Sequence, residues 1–236
     1  LTPAAAARAA IEADPWLAEP GGSPDRRGYD VLAGVAVIEV QGMLVQRLGT
    51  LRPYSGMTGY DGLRQNLLTA LSDPQVRAIA LDLDSPGGEV SGCFDLVDTV
   101  FALRGRGKPI WGICAEGAYS AAYAIASACD RITVPRTGGA GSIGVITMLA
   151  DYSKALDEEG ITVHFVHYGE RKAEEGRAKY TGVKPDLLKR IQAEIDVVGE
   201  LFTATVARNR SLTAAAVRAQ QAACFMGAAA VAQGLA

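Results

Sequence analysis

Residues 81–90 read LDLDSPGGEV, and this short stretch decides how the rest of the sequence is interpreted. Its first residues end a run of strand-forming side chains, and apolar residues at helical spacing follow it. Pro86 fixes one backbone torsion, and the two glycines after it let the backbone approach another group closely. We therefore predict a strand that ends here and leads directly into a helix. Taken alone, the turn is most simply a tight connection; alternatively, the N–H of Gly87 or Gly88 forms half of an oxyanion hole.

Apolar runs of strand length alternate with helix-length segments from Val31 onward, a pattern typical of α/β architecture. The runs are rich in Val, Ile and Leu and mostly lack strict alternation, which indicates buried strands. The predicted strands cover residues 35–40, 77–83, 109–114, 131–134, 144–149 and 161–168. Residues 1–30 combine alanines, prolines, glycines and an arginine pair, and we expect a short helix and a flexible lead-in there.

Helices are predicted between these strands where apolar residues recur at helical spacing. Residues 61–71 and 90–101 predict two amphipathic helices that pack on the sheet. Pro185 is expected in the first turn of a long helix that ends near Arg208. The predicted buried face of this helix consists of Leu188, Ile191, Ile195, Val198 and Leu201. Two shorter helices are predicted after residue 212.

The composition of the 236 residues argues against several functional classes. The formal net charge is -3, so the surface is not built to neutralise phosphates, and an aromatic content of 6% argues against a nucleic-acid stacking platform. No apolar run approaches the roughly 20 residues of a membrane span. Four scattered cysteines, Cys93, Cys114, Cys129 and Cys224, form no metal or disulfide pattern, and we predict buried thiols in a reducing compartment. No metal site and no cofactor are predicted.

Residues 117–126 read GAYSAAYAIA and follow the predicted strand at 109–114. A serine at the start of a buried helix lies at the positive end of the helix dipole. The N–H of the next residue, Ala121, is not used by an intrahelical bond, so it can stabilise an anion. These features predict that Ser120 is a nucleophile. An equally good interpretation is that Ser120 caps the helix, a role that serine fills very often.

A serine nucleophile needs a base, and the sequence offers few. His164 and His167 are the two histidines, and both lie in the predicted strand at 161–168, where residues three apart face opposite sides. Neither stands beside an orienting carboxylate, so a lysine is the remaining candidate. Residues 168–172 read YGERK and leave the sheet in a loop suited to presenting a side chain. Considered by itself, Lys172 is more simply a solvated surface cation.

Four motifs, in this order, resemble those of the signal peptide peptidase A family of serine peptidases. They are DSPGG at 84–88, GAYSAAY at 117–123, GSIGV at 141–145 and GERK at 169–172. The sequence is most similar to the branch of phage and prophage head-maturation proteases of the minor capsid protein C type. The resemblance extends from about residue 31 to the end, where Gly-Leu-Ala resembles the family's closing residues. One such motif would be a weak signal, whereas four in register are specific.

The resemblance implies a chemical role for each matching residue. It implies Ser120 as the nucleophile, Lys172 as the general base, Ser142 as a hydroxyl that hydrogen-bonds the lysine, and the N–H groups of Ala121 and Gly88, alternatively Gly87, as the oxyanion hole. The implied fold is the Clp protease/crotonase-like fold of stacked ββα units, with residues 31–236 forming a single catalytic domain. A lysine is ordinarily a cation, with a pKa of about 10.4, so a lysine base must be made neutral by burial.

The resemblance also implies partners and a place of action. In related single-domain enzymes the serine and the lysine come from neighbouring subunits, so we expect a homo-oligomer, a tetramer or an octamer. The expected substrate is a polypeptide, such as a phage scaffold, portal or capsid protein, in the cytoplasm of a bacterial host. One alternative is a cellular signal peptide peptidase that lacks its membrane anchor. Another is a crotonase-like acyl-CoA enzyme, for which Glu89 and Glu116 are the nearby carboxylates.

Overall fold

The computed structural model describes residues 27–236, which divide into two compact units. The first unit comprises residues 27–144 and 202–236 of the described chain, and the second comprises Val145–Leu201. The first unit holds the β-sheet, whereas the second consists of helices and loops. Most of the lead-in predicted for residues 1–30 lies outside the described residues. The prediction of a mixed α/β protein is confirmed.

The sheet of the first unit has eight strands within the described residues. They are β1 (Asp30–Leu32), β2 (Val35–Val45), β3 (Met57–Gly59), β4 (Ala78–Gly88), β5 (Ile110–Tyr119), β6 (Arg131–Thr133), β7 (Gly139–Gly141) and β8 (Cys224–Met226). The main order is β1-β2-β4-β5-β7-β8, while β3 pairs with β2 and β6 pairs with β5. The pairs among β2 to β7 are parallel, and the outer pairs β1–β2 and β7–β8 are antiparallel.

The helices of the first unit follow the strands in the way the apolar spacing predicts. They are α1 (Tyr60–Ser72), α2 (Cys93–Leu103), α3 (Ala121–Ser127), α7 (Ala214–Ala219) and α8 (Ala228–Ala232), and the last part of the long helix α6 (Pro185–Arg210) also belongs to this unit. Their apolar sides pack on one face of the sheet, where alternate residues of β2, β4 and β5 are buried. The predicted amphipathic helices and the long helix are confirmed.

The second unit contains α4 (Ser153–Glu158), α5 (Glu174–Thr181) and most of α6. Its buried core is small and consists of Ala178, Leu187 and Ile191. Residues 187 and 191 lie four apart on α6, so they share one side of the helix. Asp151 joins two loops of this unit, because its carboxylate accepts the Ser153 and Val183 N–H groups.

Two sequence predictions of strands are wrong. Within residues 27–236, neither residues 144–149 nor residues 161–168 form a strand of the sheet. Ile146, Val166 and Tyr168 in these segments are almost fully exposed. Both segments have strand-forming sequences, but a strand also requires a neighbouring edge to pair with. The short strand β7 lies just before the first segment and takes the position beside β5 instead.

Three predicted buried positions are also wrong. Leu188 and Leu201 are about half exposed, because Leu187 and Phe202 occupy the inward positions of α6. Cys224 is exposed on β8, whereas the other three cysteines are buried as predicted. Burial raises the pKa of the Cys93 and Cys114 thiols to about 12. No helix of residues 27–236 combines the length and the apolar character that a bilayer crossing requires.

Candidate active site

Three parallel strands of the first unit end close to one another. β4 ends at Gly88, β5 ends at Tyr119 and β7 ends at Gly141. Residues 117–119 pair with 139–141, and Ser85 pairs with Ala118. Because parallel strands present their carboxyl ends at one edge of the sheet, the residues that follow them meet there. This edge is the place where ligands bind in open α/β sheets.

Ser120 lies between β5 and α3 in a strained conformation. Its φ is 52° and its ψ is −123°, an arrangement that residues other than glycine rarely adopt. Its side chain makes no capping hydrogen bond to α3, so the N-cap interpretation is not supported by a bond. The Ser120 N–H donates to the Gly141 carbonyl at 3.0 Å, and the Ser120 carbonyl accepts from Ala124 at 2.9 Å. The serine lies at a sharp strand-to-helix turn, and its hydroxyl does not cap the helix. This backbone arrangement resembles a nucleophile elbow.

Gly87 lies directly against the serine. A Cβ atom placed on Gly87 would stand 2.6 Å from the Ser120 Cβ and 3.1 Å from the Ala121 nitrogen. Its φ is 110°, which also favours glycine. The Gly87 N–H donates to the Ser85 hydroxyl at 3.1 Å, so this N–H already has an acceptor. Gly87 therefore allows β4 to approach the serine, and Gly88 is left as the stronger candidate for an oxyanion donor.

Ala121 and Gly88 are the two residues predicted to supply backbone donors. Ala121 is the first residue of α3, and the first N–H groups of a helix have no acceptor within the helix. Gly88 pairs with Leu44 in the β2–β4 ladder, and a side chain on Gly88 would overlap the Leu44 carbonyl. The structure thus brings the serine, the N–H after it and the glycine pair together in one unit.

Ser142 lies one residue beyond the end of β7. Its φ is 55°, and its N–H donates to the Ala223 carbonyl at 3.0 Å, beside the start of β8. The residue before Ser142 is Gly141, whose carbonyl accepts the Ser120 N–H. One hydrogen bond and one peptide bond therefore connect the two serines. The structure therefore places Ser142 in the same unit as Ser120 and at the same edge of the sheet.

Lys172 belongs to the second unit. It is exposed and lies in the turn before α5, where its N–H donates to the Gly169 carbonyl at 3.1 Å. His167 lies nearby in the chain, and its Nδ1 is 2.9 Å from the same Gly169 carbonyl. A carbonyl only accepts, so Nδ1 carries the proton, and Nε2 then accepts from Arg177. His167 is therefore engaged on both nitrogens in this unit.

Other buried polar groups hold the site, and the sequence analysis did not identify them. The Ser85 hydroxyl donates to the Gly42 carbonyl at 2.6 Å, which fixes the Pro-Gly-Gly segment against β2. The Tyr123 hydroxyl on α3 donates to the Leu235 carbonyl at 2.9 Å, and Asn209 donates to the Ser127 hydroxyl at 2.9 Å. The signal for Ser85 was its position before Pro-Gly-Gly, whereas the Tyr123 and Asn209 contacts span distances in sequence that no motif reveals.

The carboxylates that an acyl-CoA enzyme would need are placed differently. Glu89 is exposed and accepts the Gln46 N–H at 2.8 Å, so its carboxylate stabilises the loop after β2. Glu116 is exposed on β5. Of the described residues, neither Glu89 nor Glu116 is therefore a buried carboxylate beside Ser120.

The fold and the site define a mixed α/β protein with a strained serine at the strand-to-helix turn at the carboxyl edge of a mainly parallel sheet. The sequence profile described as peptidase family S49 matches residues 102–236, which is more than half of the chain. The chain belongs to peptidase family S49. The matched part includes Ser120, Ser142 and Lys172.

Two phage proteins match nearly the whole chain, and a bacterial protease matches about two thirds of it. The head-tail preconnector protein GP5 of Enterobacteria phage P21 is 39% identical over 95% of this chain and 44% of its own length. The capsid assembly protease C of Escherichia phage lambda is 36% identical over 91% of this chain and 48% of its own length. Protease 4 of Haemophilus influenzae is 28% identical over 64% of this chain and 24% of its own length. The chain thus spans about half the length of the two phage relatives.

Proposed function

We propose that this chain is a serine endopeptidase that uses a Ser/Lys dyad and acts on phage head proteins. The strained backbone of Ser120 beside Gly87 carries the proposal, because strained residues cluster at active sites and the Ser120 side chain makes no capping bond to α3. Membership of peptidase family S49 supports the reaction class. The name of the phage lambda relative, a capsid assembly protease, supports scaffold, portal or capsid proteins as substrates.

The proposed reaction forms and hydrolyses an acyl-enzyme. Neutral Lys172 takes the Ser120 hydroxyl proton as the oxygen attacks the peptide carbonyl, and the resulting ammonium returns that proton to the leaving amine. The N–H groups of Gly88 and Ala121 stabilise the tetrahedral oxyanion, and losing one such donor typically costs about 100-fold to 1,000-fold in rate. Water then attacks the ester and releases the acid, with the lysine again accepting and returning a proton.

Ser142 is proposed as a positioning residue that hydrogen-bonds the lysine amine. Its hydroxyl would hold the amine toward Ser120, in the way that a third group orients the base in other serine enzymes. Its place beside β7, one residue from the carbonyl that holds Ser120, supports this role. We expect Ser142→Ala to lower kcat while leaving KM nearly unchanged, because the residue does not bind the substrate.

Assembly is proposed to complete the dyad. A lysine acts as a base only when burial favours its neutral form, and Lys172 is exposed in the single chain. We infer that a homo-oligomer, a tetramer or an octamer of chains with the Clp protease/crotonase-like fold, buries this lysine beside a serine. The parallel strands β4 and β5, each followed directly by a helix, support that fold.

The dyad is tested by measuring cleavage of casein and of a peptide library. Ser120→Ala and Lys172→Ala should each reduce kcat/KM by at least about 1,000-fold, while size-exclusion mass stays unchanged. Ser91→Ala and Lys154→Ala are matched controls, because both residues are exposed, and they should retain full activity. Cleavage that survives in Ser120→Ala would overturn the nucleophile, and an intact oligomer that binds acyl-CoA but cleaves nothing would overturn the peptidase function.

A further inference from the structure

His167 and Lys172 share one hydrogen-bond acceptor in the second unit. The His167 Nδ1 lies 2.9 Å from the Gly169 carbonyl oxygen, and the Lys172 N–H donates to the same oxygen at 3.1 Å. A carbonyl oxygen has two lone pairs, so it accepts both donors at once. The Gly169 carbonyl is therefore held by the histidine ring on one side and by the backbone of the lysine on the other.

Arg177 joins the same loop to α5. Its guanidinium donates to the Nε2 of His167 and to the Glu170 carbonyl, the latter at 2.6 Å. An arginine presents its donors in a planar fork, so one side chain fixes two acceptors in a single geometry. The loop is thus held at two points ahead of Lys172. We call the bonds among His167, Arg177 and the Gly169 carbonyl the loop clamp.

An aromatic contact attaches the preceding segment to the same helix. The Phe165 and Tyr180 ring centres lie 5.9 Å apart. Tyr180 follows Arg177 by three residues, so the two side chains share one side of α5. The segment before Lys172 is therefore bound to α5 by an aromatic contact and by the loop clamp. Of these two contacts, the one made by His167 depends on a state of charge.

The loop clamp requires a neutral histidine ring. Because the Gly169 carbonyl takes the Nδ1 proton, Nε2 offers a lone pair to Arg177. A proton on Nε2 would turn this acceptor into a donor and set an imidazolium against a guanidinium. Histidine is the side chain whose charge ordinarily changes between pH 5 and 8. The bond between His167 and Arg177 is therefore the pH-sensitive part of the loop clamp.

The other charged groups around the ring do not replace the lost bond. Glu174 is already paired with Arg190 of α6 at 2.7 Å, and Glu170 is exposed, so water screens its charge. A protonated ring would thus stand near two cations, one paired carboxylate and one screened carboxylate. Among the described residues, the charged side chains that line the cavity beside His167 are Glu170, Glu174, Arg177 and Lys184.

We propose that His167 and Arg177 are positioning residues for Lys172, and that protonation of His167 releases the loop that presents the lysine. The proposal rests on the proposed role of Lys172 as the base. Both residues act through the backbone of residues 169–172 and not on the reacting atoms. Release lowers the rate, because a misplacement of about 1 Å can cost about 100-fold. Activity therefore requires that both the lysine and His167 lose a proton as the pH rises.

The pH dependence of peptide cleavage tests the loop clamp. On the acidic side, log kcat/KM of the wild type should rise with a slope of about two, because two groups must be deprotonated. His167→Gln should lower this slope to about one and retain activity at high pH. A glutamine amide does not titrate, yet it donates to Gly169 and accepts from Arg177. His164→Gln is the matched control, because this second histidine is exposed, and it should keep the wild-type slope.

Removing the guanidinium should imitate the released loop at every pH. Arg177→Met should lower kcat/KM about 10-fold to 100-fold at high pH and leave a slope of about one. Combining it with His167→Gln should cost nothing further, because both changes act on one bond. Arg177→Lys keeps the charge but not the fork, and it replaces Arg177→Met if circular dichroism shows that this variant does not fold.

Hydrogen exchange in the inactive Ser120→Ala chain tests the loop clamp without catalysis. Relative to the intrinsic rate at each pH, the Lys172 N–H should exchange at least tenfold faster at pH 5 than at pH 8. Adding His167→Gln should remove this difference. Equal relative rates at both pH values, or a slope of two that persists in His167→Gln, would overturn the loop clamp and leave the dyad untouched. Full activity of Lys172→Ala would instead overturn the dyad while the exchange difference persists.

Discussion

Ser120 is held in its strained conformation by bonds on both sides. Backbone in such sparsely populated regions costs about 1 to 3 kcal/mol, and it persists only where surrounding structure enforces it. The bonds to Gly141 and from Ala124 supply that enforcement, one from the neighbouring strand and one from the helix. The serine is therefore fixed by backbone groups alone, which leaves its hydroxyl available for chemistry.

The close approach of β4 to the serine depends on Gly87. Gly87→Ala would place a methyl group 2.6 Å from the Ser120 Cβ at a φ of 110°. We expect a loss of about 2 to 4 kcal/mol in the free energy of unfolding, from overpacking and strain together. We also expect peptidase activity to fall at least about 100-fold, because the serine and the Ala121 N–H must move.

Gly105→Ala is the matched control for this prediction. Gly105 also has a positive φ, 68°, but no atom lies within 4 Å of a Cβ placed there. The substitution should cost about 1 kcal/mol from strain alone and leave activity unchanged. Urea denaturation and peptide cleavage measure both variants. Equal stability losses, or an active Gly87→Ala, would show that the close contact has no consequence.

At the scale of elements, α3 is anchored at a distance from the site. The helix has only seven residues, so its stability comes from packing and from bonds to other elements. Tyr123 is fully buried and donates to the Leu235 carbonyl, and Ser127 receives a bond from Asn209. Burial raises the pKa of the Tyr123 hydroxyl, so the group stays neutral and remains a donor.

Removing the Tyr123 hydroxyl should destabilise the first unit. Tyr123→Phe leaves the buried Leu235 carbonyl without its donor, which should lower the free energy of unfolding by about 1 to 2 kcal/mol. Tyr54→Phe is the control, because Tyr54 is 67% exposed and its change should be close to zero. Urea denaturation of the two variants side by side checks the difference. No difference between them would mean that the bond to Leu235 does not hold α3.

The spacing of apolar residues predicted those elements whose own sequence carries a clear apolar pattern. The strands β2, β4 and β5 and the helices α1, α2 and α6 were predicted in this way. The spacing did not show that β4 continues through Ser-Pro-Gly-Gly, because that continuation depends on ladder partners. Pro86 is accommodated where the ladder with β2 is irregular. Likewise, β7 consists of two glycines and an alanine, which form a strand only because β5 and β8 lie on either side.

The site was predicted mostly by resemblance and partly by local chemistry. From the sequence alone, Ser120 was equally well explained as a nucleophile or as a helix cap. The absence of a capping hydrogen bond favours the nucleophile. The sequence alone did not show which of Gly87 and Gly88 is the better candidate for the oxyanion donor. The hydrogen bond from the Gly87 N–H to the Ser85 hydroxyl decides between them, and it depends on the folded backbone. The dyad with Lys172 stays a prediction, since the residue lies in the second unit.

At the scale of the whole molecule, the two units have separate cores of very different size. The core of the first unit joins the sheet with its helices, whereas the core of the second is built around Ala178, Leu187 and Ile191. Small apolar cores give low local stability, and such regions open without global unfolding. The second unit carries Lys172, so the proposed base lies in the unit with the smaller core.

Two neighbouring leucines on α6 test this division. Leu187 is 2% exposed in the small core, and Leu188 is 49% exposed. Leu187→Ala should remove about 2 to 4 kcal/mol from the second unit, whereas Leu188→Ala should change little. In the Ser120→Ala chain, limited thermolysin digestion read by mass spectrometry should cut within residues 145–201 much faster in Leu187→Ala. The strands of the first unit should stay protected in both variants, because their core does not contain Leu187. Faster cutting throughout the chain would instead mean that the two units unfold together, and equal cutting in both variants would mean that Leu187 does not stabilise the second unit.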